Sequence, residues 1–386
     1  MDKKKQIKFN MNNFLISTSV ALDFMQFHRI GTSMGHSKRV AYIALKLGEK
    51  YNLDSKDLSD LCSYALASNL GLSGCFNEKS FCEIANESVK DFVFQNEKQD
   101  ILLYQKECFD GSGPYELKAN EIPLFSQIIF LAKTLDDKFD LGTRNIQKRF
   151  ETVEFVKEKI NTLFCEDLVD KFFECVNDVS FWENMYNEAD TLMFIYSSFE
   201  DYTAPVDFET VVKIARVYHL LENFSSRFLD VCALVCDFYE FDHKDKMTFL
   251  IAASFANIGK LSIGRRILDK KEPLDVYEIE IIKAYPFYTN KILSNIIGFA
   301  DITSWAIKVQ ERLDGSGYIN SLDAKELAFK DRLLAVLYAY NALRERREYR
   351  DSYSHKDAIE VLKFEASENK FDEVIIKDIE EIFKES

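Results

Sequence analysis

The stretch VQERLDGSGYIN, residues 309–320, has a counterpart in QKECFDGSGPYE, residues 105–116, in a chain with only 13 glycines. Asp110, Gly111, Ser112 and Gly113 repeat as Asp314, Gly315, Ser316 and Gly317, and a glutamate, Glu107 or Glu311, precedes each aspartate by three residues. Glycine admits positive φ, and Asp and Ser side chains bond nearby backbone amides, so each tetrapeptide predicts a tight turn. The glutamates are expected on helix just before the turn, placed to pair with a base or to cap it. This set is read as loop scaffold with no catalytic role.

Working outward, the two halves can be laid on one another. GHSKRVAYIALKLGEKYNL from Gly35 falls opposite NFSSRFLDVCALVCDFYEF from Asn223. Ser37 and Arg39 match Ser225 and Arg227, and Val40, Ile43, Ala44 and Leu47 match Phe228, Val231, Cys232 and Val235 at helical spacing. LCSYALASNLGLSG from Leu61 then pairs with FLIAASFANIGKLSIG from Phe249, setting Ser68-Asn69 against Ala256-Asn257. The path from Asn257 to Asp314 is longer than that from Asn69 to Asp110 by about a helix's worth of chain. SSFEDYTAPVDFET, residues 197–210, is polar, holds Pro205 and interrupts the helical pattern, so domains are expected at 1–200 and 201–386. Almost every other segment reads as helix, and strict strand alternation is hard to find. The expected class is all-α, two helical bundles in tandem.

Composition agrees: 47% of the 386 residues are hydrophobic, with 33 Phe and 18 Tyr but only 5 Pro. A net charge of −15 repels nucleic-acid phosphates, so no nucleic-acid partner is expected, although a local anion site stays compatible with it. No run approaches the roughly 18 apolar residues of a membrane helix. The start, MDKKKQIKFNMNNFLISTSVALDF, has an apolar stretch broken by Asn, Ser and Thr and closed by Asp23, which reads against a secretion signal and for a cytoplasmic protein. The 8 cysteines form no C-x-x-C pair and are expected to be reduced core residues.

Further landmarks follow in order: FSSRF at 224–228, ANIGK at 256–260, YP at 285–286, VQERLDGSGYI at 309–319, LY at 337–338, RREYR at 346–350 and KFDEVI at 370–375. Over residues 210–380 this order resembles the HD-GYP domain, a subfamily of the metal-dependent HD phosphohydrolases. That family runs through His-Ser-x-Arg-Val, His-Asp-Ile-Gly-Lys, an isolated His-Pro, His-His-Glu-Arg-x-Asp-Gly-Ser-Gly-Tyr-Pro, an Ala-Asp on a later helix, an Asp-Arg-Pro-Tyr-Arg tail and a Phe-Asp-Pro close. Residues 25–195 resemble it through HSKRV at 36–40, ECFDGSG at 107–113 and EIPL at 121–124, with the region of the isolated His-Pro lost. For an intact member the resemblance implies hydrolysis of cyclic di-GMP, or a related cyclic dinucleotide, with two or three metal ions.

Such a centre needs imidazoles and carboxylates to hold cations that polarise a phosphoryl oxygen and acidify the attacking water. At the matched positions the second copy has Phe224, Ala256-Asn257, Tyr285, Val309-Gln310 and Tyr338. Phe, Ala and Val offer no ligand atom, Asn and Gln are weak neutral donors, and Tyr near pKa ~10 stays protonated. The first copy keeps His36, but has Ser68-Asn69, Gln105-Lys106 and Lys133 elsewhere. His28, His219, His243 and His355 are scattered, with His219 near enough to Phe224 to point into the same bundle. No metal, cofactor or catalytic residue is therefore expected.

The leading expectation is a catalytically silent tandem HD-GYP-like signalling scaffold that works through protein partners and is free to self-associate. The alternative is a receptor that binds cyclic di-GMP without cleaving it, through Lys260, Arg312, Arg347 and Arg350. A third reading is a metal-dependent cyclic di-GMP phosphodiesterase with a rebuilt metal site. In the first copy, Lys106 and Lys133 near His36 are candidates for an anion site, their ammonium groups standing in for lost cations. A collapsed pocket, with those lysines paired to Glu or facing solvent, is the simpler expectation there.

Overall fold

The computed structural model describes residues 5–221, 227–346 and 350–384. The chain divides into two compact units, Asn10–Ala204 and Pro205–Ser386, the latter joined by Met1–Phe9 as far as these residues are described. Both units are all-α, as expected.

In the N-terminal unit, α1 (Met11–Ile30), α2 (His36–Lys50), α3 (Ser55–Ala67), α4 (Glu78–Ser88) and α5 (Leu124–Phe139) precede α6 (Ile146–Glu158), α7 (Glu166–Val176), α8 (Val179–Glu183) and α9 (Glu188–Ser197). Helix α2 is buried at every residue from His36 to Leu45 and packs against α1, α3, α5, α7 and α9. A helix covered on all sides forms the centre of its bundle. Its start is anchored from a neighbour: the buried Asp23 carboxylate of α1 accepts from Gly35 N at 3.1 Å and Ser37 N at 2.8 Å.

The C-terminal unit runs through α10 (Phe208–Leu221), α11 (Arg227–Phe238), α12 (His243–Phe255), α13 (Arg265–Leu268), α14 (Val276–Lys283), α15 (Tyr285–Leu293), α16 (Ala300–Ala306), α17 (Phe329–Arg344), α18 (His355–Ser367) and α19 (Glu373–Ile382). Here α12 packs against α10, α11 and α16. Asp242 caps α12 by accepting from Asp245 N at 2.8 Å, as Asp54 caps α3 by accepting from Asp57 N at 2.8 Å. Between Asn257 and Asp314 lie α13 to α16, whereas only α4 lies between Asn69 and Asp110.

Two short strands depart from the sequence reading. β1 (Gln6–Phe9) pairs with β2 (Ala204–Asp207). Four residues are too few for alternation to stand out. The pairing also carries the first residues out of the expected 1–200 domain and into the C-terminal unit, where buried Phe9 meets Phe299 with ring centroids 6.4 Å apart. Among the described residues no helix is long and apolar enough to cross a membrane. All eight cysteines are free; Cys62, Cys82, Cys175, Cys232 and Cys236 are buried, and Cys75, Cys108 and Cys165 are partly exposed.

Candidate functional site

The two Asp-Gly-Ser-Gly loops have matching geometry. Asp110 Oδ1 accepts from Ser112 N at 2.9 Å, and Asp314 Oδ1 from Ser316 N at 2.9 Å. Gly111 and Gly315 sit at φ 85° and 76°, where a side chain would strain the turn. The glutamates correct part of the expectation: turns, not helix, precede the loops, and among the described residues neither carboxylate pairs with a base. Each accepts two backbone amides instead, Glu107 from Tyr115 N at 2.7 Å and Leu117 N at 3.0 Å, Glu311 from Asn320 N at 2.8 Å and Leu322 N at 3.0 Å. Gly113 and Gly317 lie over these glutamates, where a Cβ would collide with the Glu107 or Glu311 backbone.

In the C-terminal unit, residues at the family's ligand positions converge and bond one another. Tyr338 on α17 donates to Asn257 Oδ1. Lys260 Nζ donates to the Tyr338 hydroxyl at 2.7 Å, Tyr285 lies 3.3 Å from that hydroxyl, and Gln310 Nε2 donates to Tyr285 at 3.0 Å. Burial, followed by the neighbouring Tyr338, pushes the Tyr285 phenol well above its ordinary pKa, so it stays neutral. A closed network of neutral groups with one ammonium does not fit a di-metal centre, which needs anionic or imidazole donors. Among the described residues no group of three or more His, Cys, Asp or Glu could hold a metal ion. Phe224 and Arg347 lie outside the described residues. His219 is buried and stacks on Phe228, centroids 6.1 Å apart.

The N-terminal unit brings the equivalent positions together with different chemistry. Lys133 on α5, which is 4% exposed, donates to Asn69 Oδ1 at 2.6 Å and to Ser68 O at 3.2 Å, with Gln105 Oε1 at 3.5 Å. Burial pulls the Lys133 ammonium down to about 7, against the pull of Asp137. His36 Nδ1 bonds Asp136 at 2.6 Å, and Arg39 holds the same carboxylate through Nε at 2.8 Å and Nη2 at 2.9 Å. Burial alone would raise Asp136; Arg39 and His36 outweigh it and hold the carboxyl well below the usual range. Lys106 lies 3.6 Å from Glu78.

One counterpart escaped the sequence reading. A Cβ on Gly259 would strike the Tyr285 carbonyl, and one on Gly71 would strike the Phe81 carbonyl. Phe81 on α4 therefore takes the place of the isolated histidine, in a region that the sequence reading counts as lost. The glycine shared by NLGL and NIGK was the available signal.

Beside the C-terminal network opens a cavity of about 900 Å³. Lys260, Lys270, Lys271, Arg312 and Arg350 face it, with Glu272 and Glu365 as its acids; Tyr338, Phe371 and aliphatic residues of α14, α17 and α18 form its apolar walls. Arg312 stacks on Phe371 at 4.5 Å and donates to Glu311 O at 2.8 Å. Arg350 donates to Leu343 O at 3.2 Å and Ala342 O at 2.9 Å, at the end of α17. The cavity thus gathers Lys260, Arg312 and Arg350; His36, Lys106 and Lys133 belong to the other unit.

The profile of the family described as HD domain matches residues 211–375. The C-terminal unit is an HD domain. The chain is 22% identical to the 3'3'-cGAMP-specific phosphodiesterase 3 of Vibrio cholerae over 92% of this chain and 91% of that protein. The cyclic di-GMP phosphodiesterase PdeB of Borreliella burgdorferi is 30% identical over 43% of each chain. A crystal structure of a cyclic GMP-AMP specific phosphodiesterase from V. cholerae shares the fold, with a TM-score of 0.69 at 18% identity over 98% of this chain and 99% of that one. These relatives overturn the expectation of a silent scaffold working through protein contacts. The HD domain here sits in a chain whose full-length relatives are named for acting on cyclic dinucleotides, so the emptied ligand positions do not by themselves argue for a protein-docking role.

Proposed function

We propose that the protein takes a cyclic dinucleotide as its ligand, in the cavity of the C-terminal unit. The single observation that carries this reading is the cationic lining of that cavity in a chain of net charge −15. Ligand pockets commonly span about 300–1,000 Å³, and this cavity falls in that range. Lys260, Arg312 and Arg350 supply charge-assisted donors for phosphodiester oxygens, and Arg can do so with two parallel bonds. The Arg312–Phe371 stack and Tyr338 present flat faces of the kind on which bases stack. Low-dielectric walls around the cations focus their field on an anion despite the negative surface.

A second reading, cleavage of the bound dinucleotide, is favoured by the names of the full-length relatives. The described side chains around the Tyr338 network lack the anionic and imidazole donors that a di-metal centre needs, so cleavage there would not run through one.

Calorimetry of the full chain with 3'3'-cGAMP and with cyclic di-GMP, alongside chromatography of the reaction mixture with and without added manganese or iron, tests both. Saturable heat that weakens about tenfold in Arg312→Met supports the binding site. Linear product in excess of enzyme adds the phosphodiesterase reading. No heat at high micromolar ligand and no product reject both.

A further inference from the structure

The second cavity of interest, about 260 Å³, lies in the N-terminal unit and is lined by Asn69, Phe81, Lys106, Lys133 and Asp137 among others. Of the two fully buried amides that face the Lys133 ammonium, each has a nitrogen with no hydrogen-bond partner among the described residues, Asn69 Nδ2 and Gln105 Nε2, and Asn69 lines the cavity. Because Lys133 donates to Asn69 Oδ1 and faces Gln105 Oε1, both amides must turn their NH₂ groups away from it. A buried donor left unpaired costs about 1–3 kcal/mol, so the Asn69 amide at the cavity wall calls for an acceptor.

The acids nearby are already engaged. Asp137 Oδ1 accepts from Gln26 at 2.7 Å and stands 3.6 Å from His36 Nε2; Glu78 faces Lys106 at 3.6 Å. Asp136 is held by Arg39 and His36. Toward the cavity stand three cations, Lys133, Lys106 and Arg29, and the unpaired Asn69 amide, against the two acids Asp137 and Glu78.

We propose that the N-terminal unit binds a small oxyanion of the phosphate class at Lys133, so that a place which grips cations in the HD family grips an anion here. Such an ion supplies lone pairs to donors from different sides of the cavity, the Asn69 amide and the Lys106 ammonium among them, where a water molecule can accept only about two bonds. It also brings a direct counter-charge to an ammonium whose hydrogen-bond partners are all neutral. The cavity falls below the roughly 300 Å³ at which ligand pockets begin, so it admits a phosphate-sized group and excludes a dinucleotide. The two cavities lie in different units, so oxyanion binding at Lys133 stands or falls apart from dinucleotide binding at Arg312.

Inorganic phosphate is the probe. It is titrated into the full chain in chloride buffer of constant ionic strength, followed by phosphorus NMR line width or calorimetry. Saturable binding is expected in the wild type and in Arg312→Met, whose change lies in the other cavity. Lys133→Met is expected to weaken it by at least about tenfold, and Lys106→Met, at a partly exposed position, by a smaller factor. Absence of saturable binding in the wild type overturns the proposal, and this arm depends on no variant. Binding unchanged in a folded Lys133→Met, or lost in Arg312→Met while Lys133→Met retains it, overturns it as well.

Discussion

Lys133 and Tyr338 occupy matching positions on α5 and α17, and each reaches the asparagine of its own unit, Asn69 or Asn257. The phenol needs no counter-charge; the ammonium does, and burial lowers it to about 7. The unfolded chain keeps a lysine near 10.4, so above pH 7 the unfolded state binds the extra proton and stability rises with pH. The slope reaches about 1.4 kcal/mol per unit. Asp137 and Lys106 are the charged groups that act on Lys133, and Cys82 adds a smaller pull. Buried thiols such as Cys82 are pushed up to about 12 and act in the opposite sense above roughly pH 8.5. Urea unfolding in phosphate-free buffer between pH 7 and 8 should therefore show rising stability in the wild type and a flatter profile in Lys133→Met; parallel profiles would count against a buried, depressed ammonium. Asp136 acts at the acid end. Its carboxyl is depressed, so the stability it brings is complete above about pH 4 and drains away as pH falls below that. Removing Arg39 from the buried pair should cost about 3–5 kcal/mol.

At the scale of the element, the glycine loops are held by one buried carboxylate each. Glu107 and Glu311 are both 1% exposed and each satisfies two amides of the backbone that follows the turn. Alanine at either place leaves two partly buried N–H groups without their acceptor, an expected loss of about 1–2 kcal/mol. Glutamine keeps the shape and one acceptor oxygen and should lose less. Denaturant melts of the four variants check this; equal, near-zero changes would mean that solvent reaches the loop. The matching loops, the matching aspartate caps of α3 and α12, and the Gly71 and Gly259 contacts all support descent of the two units from one duplicated domain, a reading we propose on these grounds.

For the whole molecule, each unit carries one tryptophan, Trp182 in the first and Trp305 in the second. Single-tryptophan variants therefore report the units separately. Phe9→Ala should lower the Trp305 transition by about 3 kcal/mol and leave that of Trp182 in place, because Phe9 belongs to the C-terminal unit. Cyclic dinucleotide should protect the Trp305 transition and phosphate the Trp182 transition, each in proportion to its binding. Protection of the other tryptophan in either case would reassign the ligand.

Much of this was present in the order of residues. The all-α class follows from sparse glycine and proline and from helical spacing of apolar residues, which are local properties. The doubled Asp-Gly-Ser-Gly also announces itself, because a turn with positive φ needs glycine wherever it stands. The emptied ligand positions were legible too, since a side chain without donor atoms declares that in its own identity. Which groups replaced the lost ligands was not legible. The bond from Tyr338 to Asn257, the burial of Lys133 and the place of Phe81 depend on helices far apart in the chain being pressed together. Nor could residue order show that β1 leaves its neighbours for the other unit, because a four-residue strand has meaning only beside its partner. Local chemistry chose the turns and the helices; packing across long separations decided where charge is buried and what each cavity can hold.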